Sequence, residues 1–194
     1  MCKMAIIMKR LLIIALCGLA AFYSCKCSGG KQAEENNSET DTFYSAIDRY
    51  MAEEIGSQYS PGEYSIPFSV VVATDESDPE NILVWGDFWV DNYDQEGDTL
   101  KCVSGGSHPG LMHVSKTDNG YEVVKFDAVA DGSGFLPSAK EIFGEHYDDF
   151  IAADGDDDAR KAAREASIAN YVEQNQLAVT LYQDYGWDAE SILK

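Results

Sequence analysis

A carboxylate flanked by two indoles is the first grouping in this sequence with chemical potential. Residues 81–93 (NILVWGDFWVDNY) alternate with a period of two, so they read as a strand. Leu83, Trp85, Asp87, Trp89 and Asp91 share one face, and Val84, Gly86, Phe88 and Val90 share the other. The second face is core. On the first, a cavity would desolvate Asp87 and raise its pKa, as a general acid or base requires. Trp85 and Trp89 would then be the walls that bind a ligand. In the plainer reading the tryptophans pack under loops or the C-terminal helices, and Asp87 points to solvent or caps a backbone amide.

The second grouping is residues 104–113 (SGGSHPGLMH), which hold His108 and His113. Gly105 and Gly106 could present backbone amides to an anion. His108 could act as an acid or base beside Asp87, or share a metal with His113. The segment does not fit G-x-S-x-G, so it is not a nucleophile elbow. The i, i+5 spacing of the histidines is not a helical metal pair, and His113 fits an ordinary half-buried strand position. Gly, Pro and Ser are also what any bent loop needs.

The third is residues 154–165 (DGDDDARKAARE). Asp154, Asp156, Asp158 and Glu165 fall at positions 1, 3, 5 and 12 of an EF-hand loop. Position 6, which needs Gly for the sharp turn, is Ala159, and position 8 is Lys161. The same aspartates serve as a helix cap and dipole partners. Looser cation binding by Asp148, Asp149, Asp154 and Asp156 is the broader form of this idea. There is no CxxC and no zinc-like Cys/His spacing, so the reading calls for no metal and no cofactor.

These groups need a scaffold. Asp41 or Thr42 can cap a helix whose apolar stripe is Phe43, Ile47, Tyr50, Met51 and Ile55, ended by Gly56. Strand patterns follow at 66–74, 81–93, 99–104, 111–116 and 121–129, with Gly105, Gly106, Pro109 and Gly110 bounding a loop. Asp118-Asn119-Gly120 is a hairpin signal. Short helices are expected at 138–143 and 147–152, and a long alanine-rich one at 156–174. The fold class is therefore α+β: an N-terminal helix on a curved antiparallel meander of about five strands, with C-terminal helices. By element order, residues 42–130 resemble the cystatin-like or NTF2-like cone. Enzymes of NTF2-like type use pocket carboxylates, which is the role the resemblance implies for Asp87.

The start of the chain speaks of location. Lys9 and Arg10 precede an apolar run at 11–22, too short for a span of about 20 residues but matching a signal-peptide core of about 7–15. Translation could begin at Met1 or Met8. Phe22-Tyr23-Ser24-Cys25 resembles a bacterial lipobox, with Ser24 as the small residue and Cys25 as the lipid acceptor. It departs from the usual pattern at Phe22 and Tyr23. The resemblance implies a signal peptide at 1–24, then a lipidated cysteine and flexible tether at 25–41, whose residues 28–41 (SGGKQAEENNSETD) hold one apolar side chain. A single domain follows at 42–194. Of the remaining cysteines, Cys102 reads as a buried strand residue, with pairing to Cys27 as the alternative.

Charge narrows the function classes. The chain carries 34 acidic against 14 basic residues, a formal charge of -20. Removal of Lys3, Lys9 and Arg10 with the signal leaves 11 against 34, or -23. That balance excludes phosphate neutralisation on nucleic acid and polybasic docking on anionic lipid. The chain as a whole resembles small lipoproteins of Gram-negative bacteria. We therefore expect a protein of the cell envelope, on the periplasmic face or the outer-membrane surface. Its membrane partner is reached through lipid on Cys25, and a non-catalytic domain binds a protein or small molecule. The alternatives are a small-pocket enzyme of NTF2-like type, with His108 assisting Asp87, and a cation-binding lipoprotein.

Overall fold

The computed structural model describes residues 42–192. The expected signal peptide, Cys25, Cys27 and the tether lie outside the described residues. Thr42 opens the first helix, α1 (Phe43–Tyr50), its Oγ1 accepting from Ser45 N at 3.3 Å. The helix then widens into a π turn at Met51–Ile55 and tightens into a 3₁₀ turn at Gly56–Gln58. Its buried stripe of Phe43, Ala46, Ile47, Met51 and Ile55 follows the expected period.

The sheet is curled, open and mostly antiparallel. Its strands are β1 (Tyr64–Asp75), β2 (Ile82–Glu96), β3 (Thr99–Thr117), β4 (Gly120–Ala128), β5 (Leu181–Gln183) and β6 (Glu190–Ser191). The order is β1-β2-β3-β5-β6, with β4 on the other half of β3's free edge. Among the described residues, only the β3–β5 pairing is parallel. The expected hairpin joins β3 to β4, with Thr117 opposite Gly120.

One expectation is corrected. Residues 105–110, read as a loop, run straight through β3, and each of them pairs with β2. Two features admit the breakers. A bulge at Val103 shifts the register. Pro109 turns its carbonyl toward Val129 N, 2.8 Å away, so its missing N–H faces the outer edge and costs β2 nothing. What looked like two strands and a bend is one strand of 19 residues.

The remaining helices are α2 (Phe135–Phe143), α3 (Tyr147–Asp154) and α4 (Asp157–Gln174). Asp156 caps α4, its Oδ1 accepting from Ala159 N at 2.9 Å. Strand alternation then sorts the layers. Even-numbered residues of β2 (Ile82, Val84, Phe88, Val90) meet α1 with Met112 and Val114. On the opposite face, Trp85 and Val72 meet α2 and α3 around Phe143 and Phe150. Further along that face, Ile66, Tyr93 and Leu100 meet Ile168 of α4 with Val179 and Tyr182. The sheet is thus covered by helices on both faces. Cys102 borders this last core half-buried, and burial pushes its thiol up to about 12.

Candidate functional site

Between the two cores on the α2–α4 face, Phe68 and Trp89 belong to neither. A cleft of about 400 Å³ opens there. Phe68 and Trp89, cross-strand partners on β1 and β2, form its floor. Their rings stack at 5.6 Å and 14°. One wall is α4, through Asp157, Arg160, Lys161 and Arg164. Those positions are i, i+3, i+4 and i+7, so one helical stripe carries them. The same stripe continues as Ile168, Tyr171 and Val172 in the core, so α4 is charged at its cleft end and apolar where it packs. The other wall is the C-terminal segment: Tyr182, Asp184, Trp187, Asp188 and Glu190.

Charge pairs lash this segment to α4. Arg164 Nη1 meets Asp184 at 2.7 Å, and Lys161 Nζ meets Glu190 at 2.5 Å. Tyr182 Oη donates to Glu165 at 3.1 Å. Arg160 pairs with Asp157 and lies over the Trp89 indole, 5.4 Å from its centroid. Arg164 lies over the Tyr182 ring at 5.7 Å. The turn between β5 and β6 carries Tyr185 and Trp187, which are 90% and 74% exposed.

Two buried carboxylates flank Trp89 along β2. Asp87 is 3% exposed and accepts from Trp89 Nε1 at 2.6 Å and Ser107 Oγ at 2.5 Å. Burial pushes its pKa up, and the two hydrogen bonds pull it back in part. Asp91 is also buried, and accepts from Tyr93 Oη at 3.4 Å. Burial raises its pKa to about 6; Arg164 opposes the rise and Asp184 adds to it. One guanidinium therefore serves two acids, and Arg164 Nε and Asp184 Oδ1 stay buried without a hydrogen bond.

Of the residues singled out in the sequence, the face Leu83-Trp85-Asp87-Trp89-Asp91 is as expected, but its members separate in role. Trp89 forms the cleft floor. Trp85 packs under the C-terminal helices, its Nε1 donating to Ile142 O at 3.0 Å, its ring 4.8 Å from His146. The suggested Asp87–His108 pairing is corrected. His108 sits opposite Phe88 in the register and so faces α1, on the reverse side of the sheet. There its Nε2 lies 2.8 Å from Tyr59 Oη, and burial holds the imidazole below its ordinary value.

His113 is opposite Leu83, on the face away from His108, so the two cannot share a metal. It bridges Asn81 and Asp127, at 3.1 Å each. The Gly105-Gly106 anion nest is also corrected. Both glycines lie within β3, and Gly105, at φ +153°, sits where a Cβ would collide with the Asp91 carboxylate and Val90 carbonyl. In the third grouping, Asp156 caps α4, Asp157 pairs with Arg160, and Glu165 holds Tyr182, so no EF-hand loop forms. No group of three or more His, Cys, Asp or Glu fit to hold a metal ion occurs among the described residues.

Sequence reasoning gave no site role to Arg160, Lys161, Arg164 or the C-terminal wall. The i, i+3, i+4, i+7 stripe was the available signal for the first group; three residues of β5 carry none. No protein-family model, curated protein or solved structure matches the chain, so the cleft is read from its own geometry.

Proposed function

We propose that this chain is an exported protein, anchored in the cell envelope by lipid on Cys25, whose domain binds a ligand without transforming it. The cleft between Trp89, α4 and the C-terminal segment carries the reading. It has an aromatic floor, convergent polar groups from two walls, and a volume within the roughly 300–1,000 Å³ of ligand pockets. Its chemistry suits holding. Asp87 spends both carboxylate oxygens on Ser107 and Trp89, and His108 lies beyond the sheet. The walls' cations stand beside carboxylates rather than beside a nucleophile.

Two experiments test the two halves. Cys25→Ala is expected to abolish labelling by a radioactive fatty acid and to release the protein from the membrane fraction; persistent labelling removes the anchoring claim. For the domain, a fragment library is screened against the protein exported from the Cys25→Ala strain, observing its three indole N–H resonances. Hits are expected to move Trp89 and Trp187 and to leave Trp85 in place. A library that moves neither cleft indole overturns the binding role.

A further inference from the structure

We infer that the cleft takes a neutral polyhydroxylated ligand, a saccharide of one or two rings. This rests on the reading of the cleft as a binding site and names what fills it.

Charge balance comes first. The cleft's lining contains three cations, Arg160, Lys161 and Arg164, and four carboxylates, Asp157, Asp184, Asp188 and Glu190. A phosphate or carboxylate that reached a guanidinium would meet an acid already paired with it. A polyamine would meet the converse. An anion must break an existing pair and desolvate beside a charge of its own sign, and a polyamine must do the same at every lining acid but Asp188.

A hydroxyl escapes this conflict, because it both donates and accepts. It can accept from a guanidinium and donate to the neighbouring carboxylate while the ion pair stays intact. The groups have capacity for it: a guanidinium has five N–H donors and a carboxylate about four acceptor sites. They are also reachable, since the side chains of Arg160, Lys161 and Glu190 remain 27%, 42% and 42% exposed. Vicinal hydroxyls on a ring match alternating donors and acceptors along one wall.

The aromatic groups supply the second half. A pyranose ring has an apolar C–H face that lies flat on an indole. Trp89 is held below, against Phe68 and under Arg160, so it is the floor. Trp187 stands at the lip, 74% exposed, on a turn whose Gly186 has φ +80°. An exposed indole beside charged hydrogen-bonding groups joins a stacking surface to an array of polar partners. An anion would need a cationic lip, and a greasy ligand a drier wall.

The test uses the protein exported from the Cys25→Ala strain and follows its indole N–H resonances. Maltose, cellobiose, lactose and sucrose are titrated separately to millimolar levels, with inorganic phosphate and spermidine as charged probes. At least one disaccharide is expected to shift Trp187 and Trp89 saturably while Trp85 stays still. Trp187→Ala, at a position 74% exposed, is expected to leave the melting temperature unchanged and to weaken that binding roughly tenfold. Failure of all four disaccharides to move the cleft signals overturns the saccharide class, as does unaltered affinity in Trp187→Ala. Shifts with phosphate or spermidine alone overturn it too, yet leave the binding role standing. That role falls separately, if the fragment screen also leaves both cleft indoles unmoved.

Discussion

Exchanging Arg164 for alanine is expected to lower the unfolding free energy by roughly 3 kcal/mol at pH 7, the low end for a buried pair robbed of one partner. The low end applies because the Arg164 side chain keeps 22% of its exposure. The loss does not come from the attraction alone. Asp184 meets Arg164 at 2.7 Å, and the buried Asp91 lies in the same field, so one deletion strands two carboxylates. Asp184 also belongs to the segment that follows β5, so that segment loses its tie to α4. Chemical denaturation at pH 7 and pH 4.5 measures the effect. The loss should shrink at the lower pH, where Asp91 binds a proton and its charge disappears. Arg164→Met keeps the apolar stem and should be almost as damaging. A loss that is equal at both pH values, or absent in Arg164→Met, would show that packing rather than charge holds the wall.

Asp91→Asn should act in the opposite direction and stabilise the domain at neutral pH. In the folded protein the Asp91 carboxyl titrates near 6, above its ordinary 3.8. The folded state therefore holds this proton more tightly than the unfolded chain. Stability falls as pH rises from about 4 to about 6, and the full penalty is present above that window. A shift of about two units corresponds to roughly 3 kcal/mol, an upper bound on the gain from removing the charge. Asparagine keeps the shape and an acceptor for Tyr93 Oη, and it leaves Arg164 and Asp184 one to one. The variant should melt higher than the parent at pH 7 and level with it at pH 4. In the double variant with Arg164→Ala, much of the loss should return, since the two residues are coupled. A lower melting temperature for Asp91→Asn at pH 7 would refute the assignment of Asp91 as an unfavourable buried charge.

The two variants also mark where the sequence was readable. The period-two pattern of residues 83–91 placed Asp87, Trp89 and Asp91 on one face correctly, because side-chain alternation is fixed by strand geometry. Asp156 as a cap and the turn before Gly120 were legible for the same local reason. The relation of Asp87 to His108 was not. It depends on register, and a slip of one residue would have moved His108 to the other face. Nor did composition disclose that Gly105, Gly106 and Pro109 lie inside a strand. Glycine and proline signal a bend unless a neighbour's close approach or a free edge calls for them, and those needs arise only in the assembled sheet. The cleft itself was hidden because its second wall joins the sheet through a parallel pairing with no local pattern.

That pairing has a consequence for the order of assembly. Thr180 reaches back to Asp98, 82 positions earlier, and β5 aligns along β3 from there. The hairpins β1–β2, β2–β3 and β3–β4 close over short loops, whereas this contact must bring together distant stretches, with a higher entropic cost of closure. The segment is short, and its hold on the rest of the domain comes largely from Tyr182, the charge pairs and three residues of ladder. It is therefore placed to dock late in folding and to detach first in the native state, opening the edge of the α4 core that Tyr182 fills while the α1 and α2–α3 cores stay closed. In amide exchange, residues 181–192 should open well below the global unfolding free energy, so that the cleft lives and dies on a faster clock than the fold that carries it.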